Sequence, residues 1–186
     1  MKRLSGVLFV LLLVFSLLAF PDAVHAASFT VTNISDSGPG SLRQAIVDAN
    51  TNPGTDTITF NIPGTGPHTI QPTSALPTIT DSVVIDGYTQ PGASPNTNTP
   101  ATGLNTVLMI ELDGGNMGAN GLHITAGDST VRGLVINRFR SSPDVWASGI
   151  GILLDTSGGN VIEGNFIGTD VTGTVDLGNS ERGVAI

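Results

Sequence analysis

The sequence VRGLVI at residues 131–136 aligns with IEGNFI at residues 162–167, at an offset of 31 residues and with glycine at the same place in both. A second motif, polar-Gly-apolar-x-Ile, occurs as NGLHI at 120–124, SGIGI at 148–152 and RGVAI at 182–186. Its copies are spaced by 28 and then 34 residues. Self-similarity with a period of about thirty residues, carried by short β-like segments, is typical of a β-solenoid in which each repeat forms one coil. These repeats therefore decide the fold.

The alignment also predicts how successive coils stack. In register, it gives three vertical pairs: Val131 over Ile162, Gly133 over Gly164 and Val135 over Phe166. The apolar pairs should form one file that faces the core. The alternate file places Arg132 over Glu163, an opposite-charge pair on the outside that exposure limits to less than about 1 kcal/mol. A bend is expected near Leu134, because the residues beyond it fit this phase less cleanly.

Short segments rich in Val, Ile, Leu and Thr, separated by turn residues, predict strands along the chain. They lie at 29–33, 57–62, 68–71, 82–86, 107–113, 122–125, 130–136, 149–154, 161–167 and 184–186. One helix is predicted at residues 41–50, where Leu42, Ala45, Ile46 and Ala49 share a face. Ser41 followed by Gln44 matches a capping box. Because open strand edges invite aggregation, we expect this helix to cap the N-terminal end of the coils, with Leu42 and Ile46 against the first rung.

The N-terminus has the pattern of a secretory signal peptide. Lys2 and Arg3 precede an apolar run at 7–18, and the run leads to a small-residue cleavage signature ending at Ala26. The run is shorter than the roughly 20 apolar residues that a membrane-spanning helix needs. The sequence thus predicts export with cleavage after Ala26, and a mature chain that is secreted or held at the cell surface and has no membrane span.

Composition excludes several functional classes. Only 12% of the residues are charged, glycine and proline together make 35 of 186, and cysteine is absent. This is typical of a turn-rich β protein, and it excludes disulfide frameworks, thiolate zinc sites and cysteine nucleophiles. The formal net charge of −8, without a basic patch, argues against nucleic acid as a partner.

The sequence GSLRQAI at residues 40–46, with DAN at 48–50 and PGTDTITF at 53–60, resembles the CSLREA-type N-terminal motif of secreted right-handed parallel β-helix proteins. Glycine stands at position 40, where the eponymous cysteine often is, and Gln44 replaces the glutamate. NVIEGNFIGTD at 160–170 resembles the coil repeat of the same proteins. The resemblance implies an all-β fold, a right-handed parallel β-helix of the pectate-lyase-like type with a short N-terminal capping α-helix.

Three parts of the chain follow from these patterns. Residues 1–26 form the signal peptide, residues 27–62 the N-terminal strand and capping helix with the CSLREA-like motif, and residues 63–186 the β-helix coils. The last repeat has just begun where the sequence stops at Ile186, so we expect a chain that is truncated at the C-terminus.

Carboxylates are the candidates for catalysis. The resemblance implies solenoids that include polysaccharide lyases and hydrolases, which gather acidic side chains on one sheet as calcium ligands or as an acid/base pair. Asp86, Asp113 and Asp155 each end an apolar run. The alternative interpretation is turn chemistry, because aspartate caps its own backbone. No cofactor is predicted: calcium is possible but has no motif here, and the two histidines of the mature chain, His68 and His123, do not have zinc-ligand spacing.

A loop with two arginines is the candidate for ligand binding. Arg138 and Arg140 flank Phe139, and the loop continues to Trp146. Such a loop could bind an acidic sugar by ion pairing and ring stacking. The alternative is a solvated loop whose aromatic side chains pack against the coil.

These observations favour a secreted or cell-surface β-helix scaffold that adheres to a surface or contacts glycans, without catalysis in this segment. The alternative function is a polysaccharide lyase or glycoside hydrolase acting from carboxylates on one sheet face. A third possibility is a passenger region that only extends a distal domain. The expected partners are polysaccharides or cell-surface glycans, and the pattern sets no oligomeric state.

Overall fold

The computed structural model of the protein describes residues 25–144, 148–155 and 158–186. The predicted signal peptide lies outside the described residues except for His25 and Ala26, and Trp146 also lies outside them. Within the described part of the chain, no helix has the length and apolar character needed to cross a bilayer.

The described residues form twelve strands, one α-helix and two short 3-10 helices, at Gly87–Thr89 and Pro100–Thr102. In chain order the main elements are β1 Ser28–Val31, α1 Leu42–Thr51, β2 Asp56–Phe60, β3 His68–Ile70, β4 Val83–Asp86, β5 Ile110–Asp113, β6 Leu122–Ile124, β7 Thr130–Arg132, β8 Leu134–Asn137, β9 Ile150–Leu154, β10 Val161–Glu163, β11 Phe166–Ile167 and β12 Arg182–Ala185.

The strands form three parallel sheets. The first sheet has the order β1-β2-β4-β7-β10, the second β11-β8-β5-β3 and the third β12-β9-β6. From β4 to β12 the chain enters the first, second and third sheets in turn, three times over. Each strand therefore pairs with the strand one repeat away, which confirms the prediction of a strand-rich, parallel fold.

The predicted register is confirmed where the two deciding segments meet. Val131 pairs with Ile162 and Val135 with Phe166. The prediction of a bend is also confirmed, because the chain breaks between β7 and β8 at Gly133, which has a φ of 73°.

Beyond that bend, the prediction that Val135 continues the inward file of Val131 is wrong. Leu134 and Ile136 belong to the central apolar cluster instead. Val135 is buried outside that cluster, between Glu111 and Phe166 in the second sheet. The left-handed backbone of Gly133 changes the phase of alternation, so the next strand presents its other face to the core.

Helix α1 packs against β1 and β2 through the four predicted apolar residues, all of them buried. Ser41 is the N-cap, and its hydroxyl oxygen accepts from the backbone N–H of Gln44 at 3.2 Å. Gln44 does not complete a capping box, because its side chain donates to Asp48 at 2.8 Å. Since β1 is the outermost strand of the first sheet, the apolar face of the helix lies at that end of the core.

Asparagine side chains satisfy backbone groups at the corners between sheets. Asn165 accepts from the N–H of Leu134 at 3.0 Å and donates to the carbonyl oxygen of Val131 at 2.8 Å. Asn179 bonds in the same way to the N–H of Phe139 and the carbonyl oxygen of Ile136. These amides replace strand hydrogen bonds where the backbone turns, so buried corner groups keep partners.

Candidate functional site

The structure places the three aspartates of the predicted catalytic set in different sheets. Asp86 ends β4 in the first sheet, Asp113 ends β5 in the second, and Asp155 follows β9 in the third. The enzyme alternative requires carboxylates on one sheet face, and the structure does not bring these three together. Each one therefore has to be considered in its own surroundings.

Asp86 is buried and has two partners. Its Oδ1 accepts from the backbone N–H of Tyr88 at 3.0 Å, and its Oδ2 accepts from the guanidinium of Arg132 at 2.7 Å. The hydrogen bond from Arg132 to Asp86 raises the pKa of Arg132. The prediction that Arg132 pairs with Glu163 needs correction, because those groups are 3.9 Å apart and Asp86 is the closer partner. Sequence alignment missed this because Asp86 lies 46 residues before Arg132, one and a half repeats away in the chain.

Asp113 is the most enclosed of the three, with 2% of its side chain exposed. The guanidinium of Arg138 donates to both carboxylate oxygens, and the Nε of Arg138 lies 2.7 Å from Oδ1. Gln71 and the backbone N–H of Gly115 also donate to Asp113. The hydrogen bond to Asp113 raises the pKa of Arg138. Arg138, predicted as a ligand-binding residue, is therefore bound within the fold.

The rest of the predicted binding loop divides into buried and exposed parts. Phe139 is fully buried, so the expectation of an exposed aromatic ring is wrong at this position. Its ring lies where a side chain at Gly114 or Gly121 would come within 2.9 Å, and the two glycines make room for it. Arg140 is exposed and donates through Nε to Asn116 at 2.9 Å. Trp146, the third residue of this prediction, lies outside the described residues.

Asp155 is 75% exposed and lies near His123, with 3.8 Å between Oδ2 and Nε2. On its other side, Nδ1 of His123 is 3.3 Å from the hydroxyl of Thr78. Thr78 and His123 line a cavity of about 430 Å³ on the third sheet. The 3.8 Å separation exceeds a hydrogen bond, so His123 and Asp155 do not form a hydrogen-bonded acid/base pair.

A groove of about 530 Å³ lies between the segment that joins β4 to β5 and the strands β7, β10 and β11. Tyr88, Pro95, Leu104 and Phe166 give it an apolar lining. Arg132 and Glu163 add charged groups, with 41% and 58% of their side chains exposed. We call this cavity the Tyr88 groove.

The fold positions Tyr88 by a contact with the bends of two repeats. Its hydroxyl donates to the carbonyl oxygen of Gly164 at 2.8 Å. Its ring would lie 3.0 Å from a side chain at Gly133, the equivalent residue one repeat earlier. The hydroxyl of Thr106 lies 3.4 Å from that of Tyr88 and donates to Ser94, which ties the joining segment to the groove.

A second cavity of about 570 Å³ continues from the Tyr88 groove and shares four lining residues with it: Leu104, Thr106, Asn165 and Phe166. Leu104 is 69% exposed at the boundary. The two cavities together form an elongated surface on both sides of Phe166. Among the described residues, no cluster of three or more His, Asp or Glu side chains could hold a metal ion.

Sequence reasoning did not identify the Tyr88 groove. Arg132 and Glu163 were predicted as a structural surface pair, and Phe166 as a core residue. The change of phase at the glycine bend turns Phe166 outward, which the repeat alignment alone does not show. A usable signal was present in Tyr88, the single tyrosine of the chain, directly after the Asp86-Gly87 turn.

No protein-family model matches the chain, and a search of curated proteins gave no match.

Proposed function

We propose that the chain is a secreted or cell-surface right-handed parallel β-helix, capped at its N-terminal end by α1, that contacts glycans and performs no catalysis in this segment. Three parallel sheets visited in constant order support the β-helix. Connections between parallel strands are right-handed in about 98% of cases, which supports the handedness. The position of α1 beside the outermost strand β1 supports its role as a cap.

The observation that carries glycan binding is the lining of the Tyr88 groove. Sugars present apolar C–H faces and a rim of hydroxyl groups, and pockets for such ligands combine aromatic surface with a few polar groups. Phe166 and Leu104 supply apolar surface that is partly open to solvent. Arg132 and Glu163 supply hydrogen-bonding groups beside it. The adjoining cavity extends the surface along Phe166, which suits an oligomer better than a single sugar.

The separation of the aspartates supports binding rather than glycosidic cleavage. A glycosidase needs two carboxylates about 5 to 9.5 Å apart across the scissile bond. Asp86 and Asp113 are each bonded to an arginine and to a turn N–H in separate sheets. These contacts hold the two carboxylates as structural acceptors.

A binding assay with the full chain tests this function. Isothermal titration with defined oligosaccharides should show binding that Phe166→Ala weakens at least tenfold, because the substitution removes the aromatic surface. Ile34→Ala, which truncates an exposed apolar side chain that does not line the groove, is the control and should bind like the wild type. Equal binding by Phe166→Ala would contradict the role of the groove.

Two further measurements test the remaining parts of the proposal. N-terminal sequencing of the exported protein should begin at Ala27. Incubation with polysaccharide should release no reducing or unsaturated ends. Release of such ends that is lost on Asp113→Ala or Asp155→Ala would replace this proposal with the lyase or hydrolase alternative.

A further inference from the structure

The positive charge in the Tyr88 groove is already compensated by the fold. Asp86, Arg132 and Glu163 occupy paired positions of β4, β7 and β10, so the three charges stack along one column of the first sheet. Arg132 donates to Asp86 at 2.7 Å and lies 3.9 Å from Glu163. One guanidinium thus stands between two carboxylates, and this column carries a net negative charge.

The carboxylate of Glu163 is the exposed group of that column. It is 58% exposed, whereas Asp86 is buried, and it lines the groove while Asp86 does not. Among the described residues, no side chain or backbone group donates a hydrogen bond to it, and its nearest cation is 3.9 Å away. Glu163 therefore offers an acceptor to a ligand, and the groove offers a ligand anion no uncompensated cation.

The apolar part of the groove favours the same sign of ligand charge. Tyr88 and Phe166 line it together with Glu163. An ammonium group is attracted to aromatic faces as well as to carboxylates, by up to about 1 kcal/mol at partly exposed sites. A sugar carboxylate would instead meet Glu163 as a like charge, on a chain whose formal net charge is −8.

We propose that the Tyr88 groove selects amino-sugar polymers with protonated amines over acidic polysaccharides, with Glu163 as the residue that determines this specificity. The inference rests on the proposed glycan-binding function and narrows its ligand class. The sugar ring packs on Phe166, and the ammonium group lies against the Glu163 carboxylate.

The test compares three oligosaccharides of equal length on the full chain by isothermal titration, at low salt and mildly acidic pH. They are a glucosamine oligomer, its N-acetylated neutral form, and an oligogalacturonate. The glucosamine oligomer should bind about fivefold more tightly than the neutral form, the effect of an ion pair worth about 1 kcal/mol. The oligogalacturonate should bind most weakly.

Two variants locate the effect. Glu163→Gln should remove the preference for glucosamine and leave binding of the neutral oligomer unchanged. Glu181→Gln, which neutralises an exposed carboxylate elsewhere, should keep the preference. A preference that survives in Glu163→Gln, or equal or tighter binding of the oligogalacturonate, overturns the inference.

The outcomes also separate this inference from the proposed function. If neutral or acidic oligomers bind best and Phe166→Ala abolishes that binding, the glycan function stands and the amino-sugar preference is overturned. If none of the three binds, both are overturned.

Discussion

The hydroxyl of Tyr88 donates a 2.8 Å hydrogen bond to the carbonyl oxygen of Gly164, 76 residues further along the chain. The bond joins the segment after β4 to the bend between β10 and β11, where the strand ladder is interrupted. A side chain reaching across two repeats therefore satisfies a backbone acceptor at the bend and forms one wall of the Tyr88 groove.

Tyr88→Phe should lower the free energy of unfolding by about 1 kcal/mol, because it removes this hydrogen bond and keeps the ring. Urea unfolding followed by circular dichroism measures the change. Thr30→Val is the control: its hydroxyl bonds to that of Thr59 at an exposed position, and the loss should be smaller. Equal losses in the two variants would show that the Tyr88 contact has no special role.

Gly133→Ala should destabilise the protein more than Gly38→Ala, although both glycines have positive φ, 73° and 90°. Alanine pays the left-handed backbone cost of about 1 to 2 kcal/mol at either site. At Gly133 the added methyl group would also lie 2.7 Å from the backbone nitrogen of Tyr88, whereas nothing lies within 4 Å at Gly38. We expect total losses of about 3 and 1 kcal/mol, respectively.

The same denaturant titration measures both variants. Similar losses would mean that backbone strain alone explains the requirement for glycine at residue 133, and that the ring of Tyr88 can move away.

The repeats allowed the sheets and their register to be predicted, because identical spacing places equivalent residues side by side. Contacts that cross repeats out of phase could not be predicted in this way. Arg132 pairs with Asp86 because the strand partner of Arg132 on the β4 side belongs to a repeat with a longer loop, and the alignment supplied only Glu163.

The candidate site was harder to predict than the sheets. Its walls come from residues 87–109, which have no repeat counterpart, and from Phe166, whose direction depends on one glycine dihedral. Alternation rules assign faces within a continuous strand, and they stop at such a bend. The three aspartates looked equivalent because each ends an apolar run, yet the runs belong to three sheets.

Arg138→Met should destabilise the protein by about 2 to 3 kcal/mol, because it leaves the buried carboxylate of Asp113 without its cation. The loss is below that of a fully buried pair, since Gln71 and the N–H of Gly115 still donate to Asp113. Arg140→Met, which removes an exposed arginine two residues away, should cost less than 1 kcal/mol.

Combining Arg138→Met with Asp113→Asn tests the cause, because the amide carries no charge and should recover part of the stability. If the double variant is no more stable than Arg138→Met, the lost packing of the arginine side chain, and not the unpaired charge, explains the effect.

The Asp36 carboxylate should make stability depend on pH in the acid range. Hydrogen bonds from Arg43, and then from the hydroxyl and backbone N–H of Thr73, lower the pKa of Asp36 to about 2. An unfolded aspartate has a pKa of about 3.9. Because the folded value is the lower one, the stabilising contribution is complete above the unfolded value and is lost as the pH falls through the folded value.

Asp36→Asn should therefore cost about 1 kcal/mol near neutral pH, less than linkage alone would give, because solvent screens this partly exposed pair. The difference from the wild type should shrink as the pH falls below about 4 and vanish near 2, because both side chains are then uncharged. Urea unfolding across this pH range measures it. Thr73→Val removes one of the donors and should give a smaller loss with the same pH profile, whereas a loss that stays constant with pH would assign it to packing and not to the charge of Asp36.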